Sequence, residues 1–206
     1  MHREILSEDQ VKLLPLVKVF IREYFLVGGT AIGLHLGHRR SIDFDLFKFN
    51  PIKAKNIIDK ISAFKYPYII TRQVSEQLNI TIHGVKFTFC EYPFKVDAKY
   101  KFDEFLRLPA LIDIAAMKAY ALGRRSKWKD YVDLYFILKD HFSIEDISKR
   151  AIEIYDQLFS EKLFRAQLSY FKDIDHSESI EYIVPAVSDE EIMKFLIDKA
   201  TDIDLR

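Results

Sequence analysis

In the first half of the chain, helical spacing of apolar residues mixes with short two-residue alternation; in the second half only helical spacing remains. Ser7 and Gln10 form a capping box ahead of a helix reaching about residue 22, with Val11, Leu14, Val17 and Ile21 on one side. Pro15 within it removes a hydrogen bond and argues for a later start. Residues 24–27 read as a short strand ending at Gly28 and Gly29. Thr30 caps a helix through Leu36, and Gly37 stops it. The run RRSIDFDLF is strand-like, with Ile42, Phe44 and Leu46 facing a core and Asp43 and Asp45 facing away. Asn50 and Pro51 open a further helix.

Strand alternation returns over 68–92. Leu78, Ile80 and Ile82, then Val85, Phe87 and Phe89 after Gly84, define a hairpin with one apolar face. Beyond about Asp103 the strand signal vanishes, which places a boundary near 107–109. In the helical half, Leu111, Ile114, Ala115 and Leu122 form an apolar stripe that contains Lys118. Residues 129–139 are apolar nearly all round, as a buried helix is, yet carry Asp130 and Asp133 on one face.

At 206 residues, with 49% apolar and 30% charged residues, the chain has the composition of an ordinary globular protein with a real core. Lysine plus arginine equals aspartate plus glutamate, 31 each, so nucleic-acid binding would need a local basic patch. The lone Cys90 excludes an internal disulfide and suits a reducing compartment. No apolar run resembles a signal peptide or reaches membrane-spanning length. The expectation is a cytoplasmic protein without a membrane partner.

Three Asp-x-Asp pairs occur. Asp173 with Asp175, and Asp202 with Asp204, lie in a polar stretch and near the chain end, as solvated loop and tail residues do. Asp43 and Asp45 alone lie in an apolar strand, where two like charges need a compensating cation, and Mg²⁺ (or Mn²⁺) with substrate phosphates is the usual one. Gly28, Gly29 and Thr30 then offer amides and a hydroxyl to phosphate oxygens. Arg39 and Arg40 either offset the acid charge or hold a phosphate. Glu91, continuing an apolar row, is the candidate third carboxylate; the alternative is that its strand has ended and it turns outward. Asp97 is a weaker rival. Lys118 either snorkels to the surface or reaches into a cleft toward a triphosphate. Asp130 and Asp133 need cations, with Lys118, Arg124 and Lys129 available, and such pairs would equally serve only to lock the halves together. The run Arg124, Arg125, Lys127 and Lys129 is such a local basic patch.

With these residues in place, the chain resembles the AbiEii/AbiGii-type nucleotidyltransferase toxins of the polymerase-β-like superfamily. The segments that carry the resemblance are FLVGGTAIGLHLGHRRSIDFDLF, FTFCEYPF, AAMKAYALGRRSKWKDYVDLYFIL and LSYFKDID. It implies an α+β fold: a nucleotidyltransferase-like mixed sheet flanked by helices over 1–107, then a helical domain over 108–206 that completes the active-site cleft. It further implies transfer of a nucleoside monophosphate from an NTP, with Mg²⁺ and release of pyrophosphate. Asp43 and Asp45 match the metal pair, Gly29 and Thr30 the phosphate-contacting turn, Lys118 the essential helical lysine and Asp130 the later essential aspartate. Some relatives modify transfer-RNA ends as toxins of toxin–antitoxin or phage-defence systems, so RNA and a cognate antitoxin are the implied partners. Two other readings stay open: a small-molecule, antibiotic-type nucleotidyltransferase, and a silent nucleotide- or partner-binding domain.

Overall fold

Ser7 and Gln10 close their capping box in a computed structural model that describes residues 1–122, 124, 125 and 127–202. The helix it starts, α1 (Glu8–Lys18), runs through Pro15 rather than beginning after it. Burial of Leu13, Leu14, Leu16 and Val17, with the cap, outweighs the lost hydrogen bond, and the helix instead ends early, at Lys18.

Two compact units divide between Ala110 and Leu111. The first continues with β1 (Phe25–Val27), α2 (Gly28–Leu36), β2 (Phe44–Lys48), α3 (Ala54–Ser62), β3 (Tyr68–Gln73), β4 (Gln77–Ile82) and β5 (Val85–Glu91). The five strands form one mixed sheet in the order β1-β2-β5-β4-β3, in which β2 and β5 run parallel and the other pairs antiparallel. Phe44, Leu46, Leu78, Ile80, Phe87 and Phe89 are buried on one face. Phe20 and Tyr24 pack their rings against Phe89 at 4.8 and 5.4 Å. His83 and Gly84, both with positive φ (49° and 75°), make the two-residue turn joining β4 to β5.

Three local expectations fail. Ile42 is 57% exposed because β2 begins only at Phe44, leaving it outside the ladder. Helix α3 begins at Ala54, not at Pro51. A small hairpin, β6 (Tyr100–Phe102) with β7 (Leu106–Leu108), straddles Asp103, so one of its strands lies where only helical spacing was expected. Three-residue strands are too short to register as alternation.

The second unit is helical: α4 (Leu111–Leu122), α5 (Trp128–Asp140), α6 (Ile144–Tyr155), α7 (Glu161–Leu168) and α8 (Asp189–Thr201). Helix α5 is buried nearly all round, as its composition requires. Trp128 and Tyr135 tie it to α8 by donating to Asp189 Oδ1 (3.0 Å) and Glu191 Oε1 (2.8 Å). No helix among the described residues is long and apolar enough to cross a membrane.

Candidate active site

The turn between β1 and α2 is forced by sequence. Gly28 has φ +72°, a left-handed conformation that side chains resist, and a Cβ there would fall onto the Asp45 carboxylate. Asp45 stands beside Val27 in the β1–β2 ladder, so the carboxylate adjoins the start of α2. Val27, the residue ahead of that helix, offers its first-turn amides no side-chain cap. A Cβ on Gly29 would come within 2.8 Å of Arg39 Nη2, so the glycine admits a guanidinium that is itself buried. Helix-terminal amides and Arg39 thus supply positive potential beside the half-buried Asp45 carboxylate, with Asp43, also half-buried, just ahead of β2.

Thr30 plays a different part from the one expected. It lies inside α2, is buried, and its hydroxyl donates to the Asp43 carbonyl at 2.5 Å, with the Ser41 hydroxyl at 3.0 Å. It therefore holds the backbone that presents Asp43 and is not turned toward a phosphate. Arg40, expected at the nucleotide, directs Nη1 to the carbonyls of Glu4 and Leu6 at 3.1 and 3.2 Å. Of the two arginines it is Arg39 that reaches the glycine turn, a distinction adjacent residues cannot reveal in sequence.

The expected third carboxylate is not beside the pair. Strand β5 lies parallel to β2 with Thr88 opposite Asp45 and Glu91 opposite Lys48. Successive side chains alternate faces, so Glu91 stands on the Lys48 face and Asp45 on the other. The residues that share Asp45's row are Thr88 and, beyond it on β4, Asn79. Asp97 is paired with Lys99 at 3.1 Å and lies in the open. No cluster of three His, Cys, Asp or Glu residues able to hold a metal occurs among the described residues. Two carboxylates completed by substrate phosphates and water fit the way Mg²⁺ is ordinarily held.

In the helical unit, Lys118 is inward-facing and does not snorkel. Its ammonium lies 2.7 Å from Asp130 Oδ1 and 2.8 Å from Asp133 Oδ2, with the three side chains 3%, 0% and 0% exposed. Asp130 also takes the Arg125 guanidinium, Nε to Oδ2 at 2.8 Å and Nη2 to Oδ1 at 3.2 Å. Burial pushes the Asp130 carboxyl up, but the Lys118 and Arg125 charges more than offset it and hold it below its usual value. The cation that joins Lys118 on Asp130 is thus Arg125, not the expected Arg124 or Lys129. Half of the Arg125 side chain remains exposed. The rest of the basic run is committed locally. Lys127 and Lys129 both bind Glu178, and Arg124 donates to the Tyr120 carbonyl at 2.7 Å while lying over its ring at 3.6 Å.

His176 stacks on Trp128 at 5.0 Å, and Asp173 accepts from Tyr170, so that stretch is structural. Asp202 follows α8, and Asp204 lies outside the described residues.

Comparison with known proteins adds four matches. Residues 88–202 match the family model described as nucleotidyl transferase AbiEii toxin of a type IV toxin–antitoxin system. An uncharacterised protein of Aquifex aeolicus (strain VF5) is 31% identical over 180 residues, 83% of this chain and 85% of its own. Among solved structures, MenT4, a nucleotidyltransferase toxin from Mycobacterium tuberculosis H37Rv, superposes with a TM-score of 0.59 at 13% identity, covering 95% of this chain and 83% of that one. A proposed nucleotidyltransferase from H. pylori gives 0.56 at 18% identity, with 94% of each chain covered. At such identities these two structures establish the fold.

Proposed function

Because the chain belongs to the AbiEii nucleotidyltransferase toxin family and is a nucleotidyltransferase, we propose that it transfers a nucleoside monophosphate from an NTP to RNA, at a transfer-RNA end. The observation that carries this reading is the Asp45 carboxylate against Gly28 at the start of α2, with the Asp43 carbonyl held by Thr30 of the same helix. Asp43 and Asp45 would hold the divalent metal, which when bound supplies charge neutralisation to the triphosphate. The first-turn amides of α2 and the Arg39 guanidinium bind the β and γ phosphates. Thr30 keeps the Asp43 backbone in place, and Gly28 leaves the room that Asp45 occupies.

Lys118 and Asp130 act as one device. Lys118 keeps Asp130 ionised in a dry setting, and Asp130 in turn fixes Arg125, whose half-exposed guanidinium is the cation this network presents on the helical unit. In-line phosphoryl transfer depends on such positioning and charge stabilisation. The protein acts in the cytoplasm as the toxin of a toxin–antitoxin pair, with a cognate antitoxin as its partner. Incubation with labelled NTPs, Mg²⁺ and total RNA tests the reading. Label on transfer RNA supports it, label on a small molecule favours an antibiotic-type acceptor, and no label at all identifies a pure binder.

A further inference from the structure

Lys127 and Lys129 are paired with Glu178, and Arg124 and Arg125 with Tyr120 and Asp130, so a second basic surface, on the first unit, stands out by its less committed cations. Two adjoining cavities of about 370 and 410 Å³ open there beside the C-terminal end of β2 and share Glu23, Lys48 and Asn50. The first adds Lys53 and Lys60; the second adds Arg22, Phe49 and Arg107. Five cations thus line the pair against two carboxylates, Glu23 and Asp97, in a chain whose net charge is zero.

The charge there is only partly quenched. Glu23 binds Lys60 at 2.7 Å and reaches Lys48 only at 3.6 Å. Arg22 and Lys53 are exposed and make no ion pair among the described residues. Lys53 precedes α3, whose first turn has neither a side-chain cap nor an acid, so its amides add to the positive potential. Phe49 is 44% exposed and rests on the buried Phe25, with ring centroids 5.4 Å apart. That leaves one supported aromatic face open among cations, beside the amide of Asn50. Spaced cations tracking a groove, with an aromatic platform between them, are what single-stranded nucleic acid requires. A compact phosphate metabolite would need one convergent pocket, not two in file.

We propose that these cavities bind a single-stranded stretch of the RNA acceptor, one base stacking on Phe49 and the phosphates meeting Arg22, Lys48 and Lys53. This rests on the reading that the acceptor is RNA. Phe49 follows the last residue of β2, four residues and about 13 Å of extended chain from Asp45, a distance a short oligonucleotide spans.

The test is anisotropy of a labelled single-stranded RNA oligonucleotide with the full chain across a salt series, alongside transfer of label from NTP to RNA. Arg22→Glu with Lys53→Glu is expected to weaken binding at least tenfold and to flatten its salt dependence. Phe49→Ala weakens binding several-fold at unchanged salt slope, and Phe49→Tyr restores it. Lys55→Glu, an exposed lysine of α3 outside both cavities, changes affinity far less. If the charge-reversed protein binds RNA as the wild type does while the wild type labels RNA, the groove is refuted and the acceptor reading stands. If the wild type neither binds nor labels RNA, both fall.

Discussion

Lys118 and Asp130 form a 2.7 Å ion pair with side chains only 3% and 0% exposed, and Asp133 closes the other side of the ammonium at 2.8 Å. A lysine so enclosed cannot be removed without leaving uncompensated charge in a dry interior. Lys118→Met is therefore expected to cost about 3–5 kcal/mol of stability. Chemical denaturation measures it, with Arg125→Gln, at the half-exposed end of the network, costing much less. Equal small effects would mean that the pair is hydrated and the network weak.

The acid limb of stability has a defined source at Glu178. Burial raises its carboxyl, but hydrogen bonds from Lys127 and Lys129 dominate and bring it from 4.5 to about 2. A carboxyl depressed by folding adds stability above its unfolded value, and that contribution disappears as pH falls through the folded one. The denaturation midpoint should thus fall between pH 4.5 and about 2, and fall less steeply in Glu178→Gln. Parallel curves for the two proteins would remove Glu178 from the account.

Thr30→Val deletes the hydroxyl that serves the Asp43 carbonyl. Leaving that carbonyl short of a donor is expected to cost about 1–3 kcal/mol, with Thr30→Ser close to wild type. A Thr30→Val protein of unchanged stability but reduced NTP affinity would instead make Thr30 a direct phosphate contact.

Gly28→Ala strains a φ of +72° and drives a methyl against the Asp45 carboxylate. Transfer is expected to fall at least a hundredfold, about 2.7 kcal/mol in barrier, while far-UV circular dichroism stays unchanged. Transfer rates measured beside the spectra decide it, and wild-type turnover would show that Asp45 need not sit where the glycine lets it.

Much of this was legible in the chain before any coordinates. The Ser7–Gln10 box, the glycine turn and the inward lysine each depend on local pattern and appear where spacing puts them, while the acid strand begins only at Phe44, after Asp43. What escaped depends on register and direction. Glu91 follows the apolar alternation of β5 faithfully, but only the pairing with β2 shows that this alternation points away from Asp45. Arg39 and Arg40 are neighbours in sequence, and which one turns toward Gly29 is decided by the path of the loop. Pro15 broke a propensity rule that burial and a good cap overrode. The pairing of Lys127 and Lys129 with Glu178, some fifty residues on, leaves no periodic trace in sequence.

The central claim is that Asp43 and Asp45 are the metal-holding acids of nucleotide transfer. Asp43→Ala and Asp45→Asn, each compared with wild type for Mg²⁺-dependent transfer of labelled NMP to RNA, address it most directly. Both variants are expected to lose transfer while retaining the wild-type unfolding transition. Turnover persisting in either folded variant would contradict it.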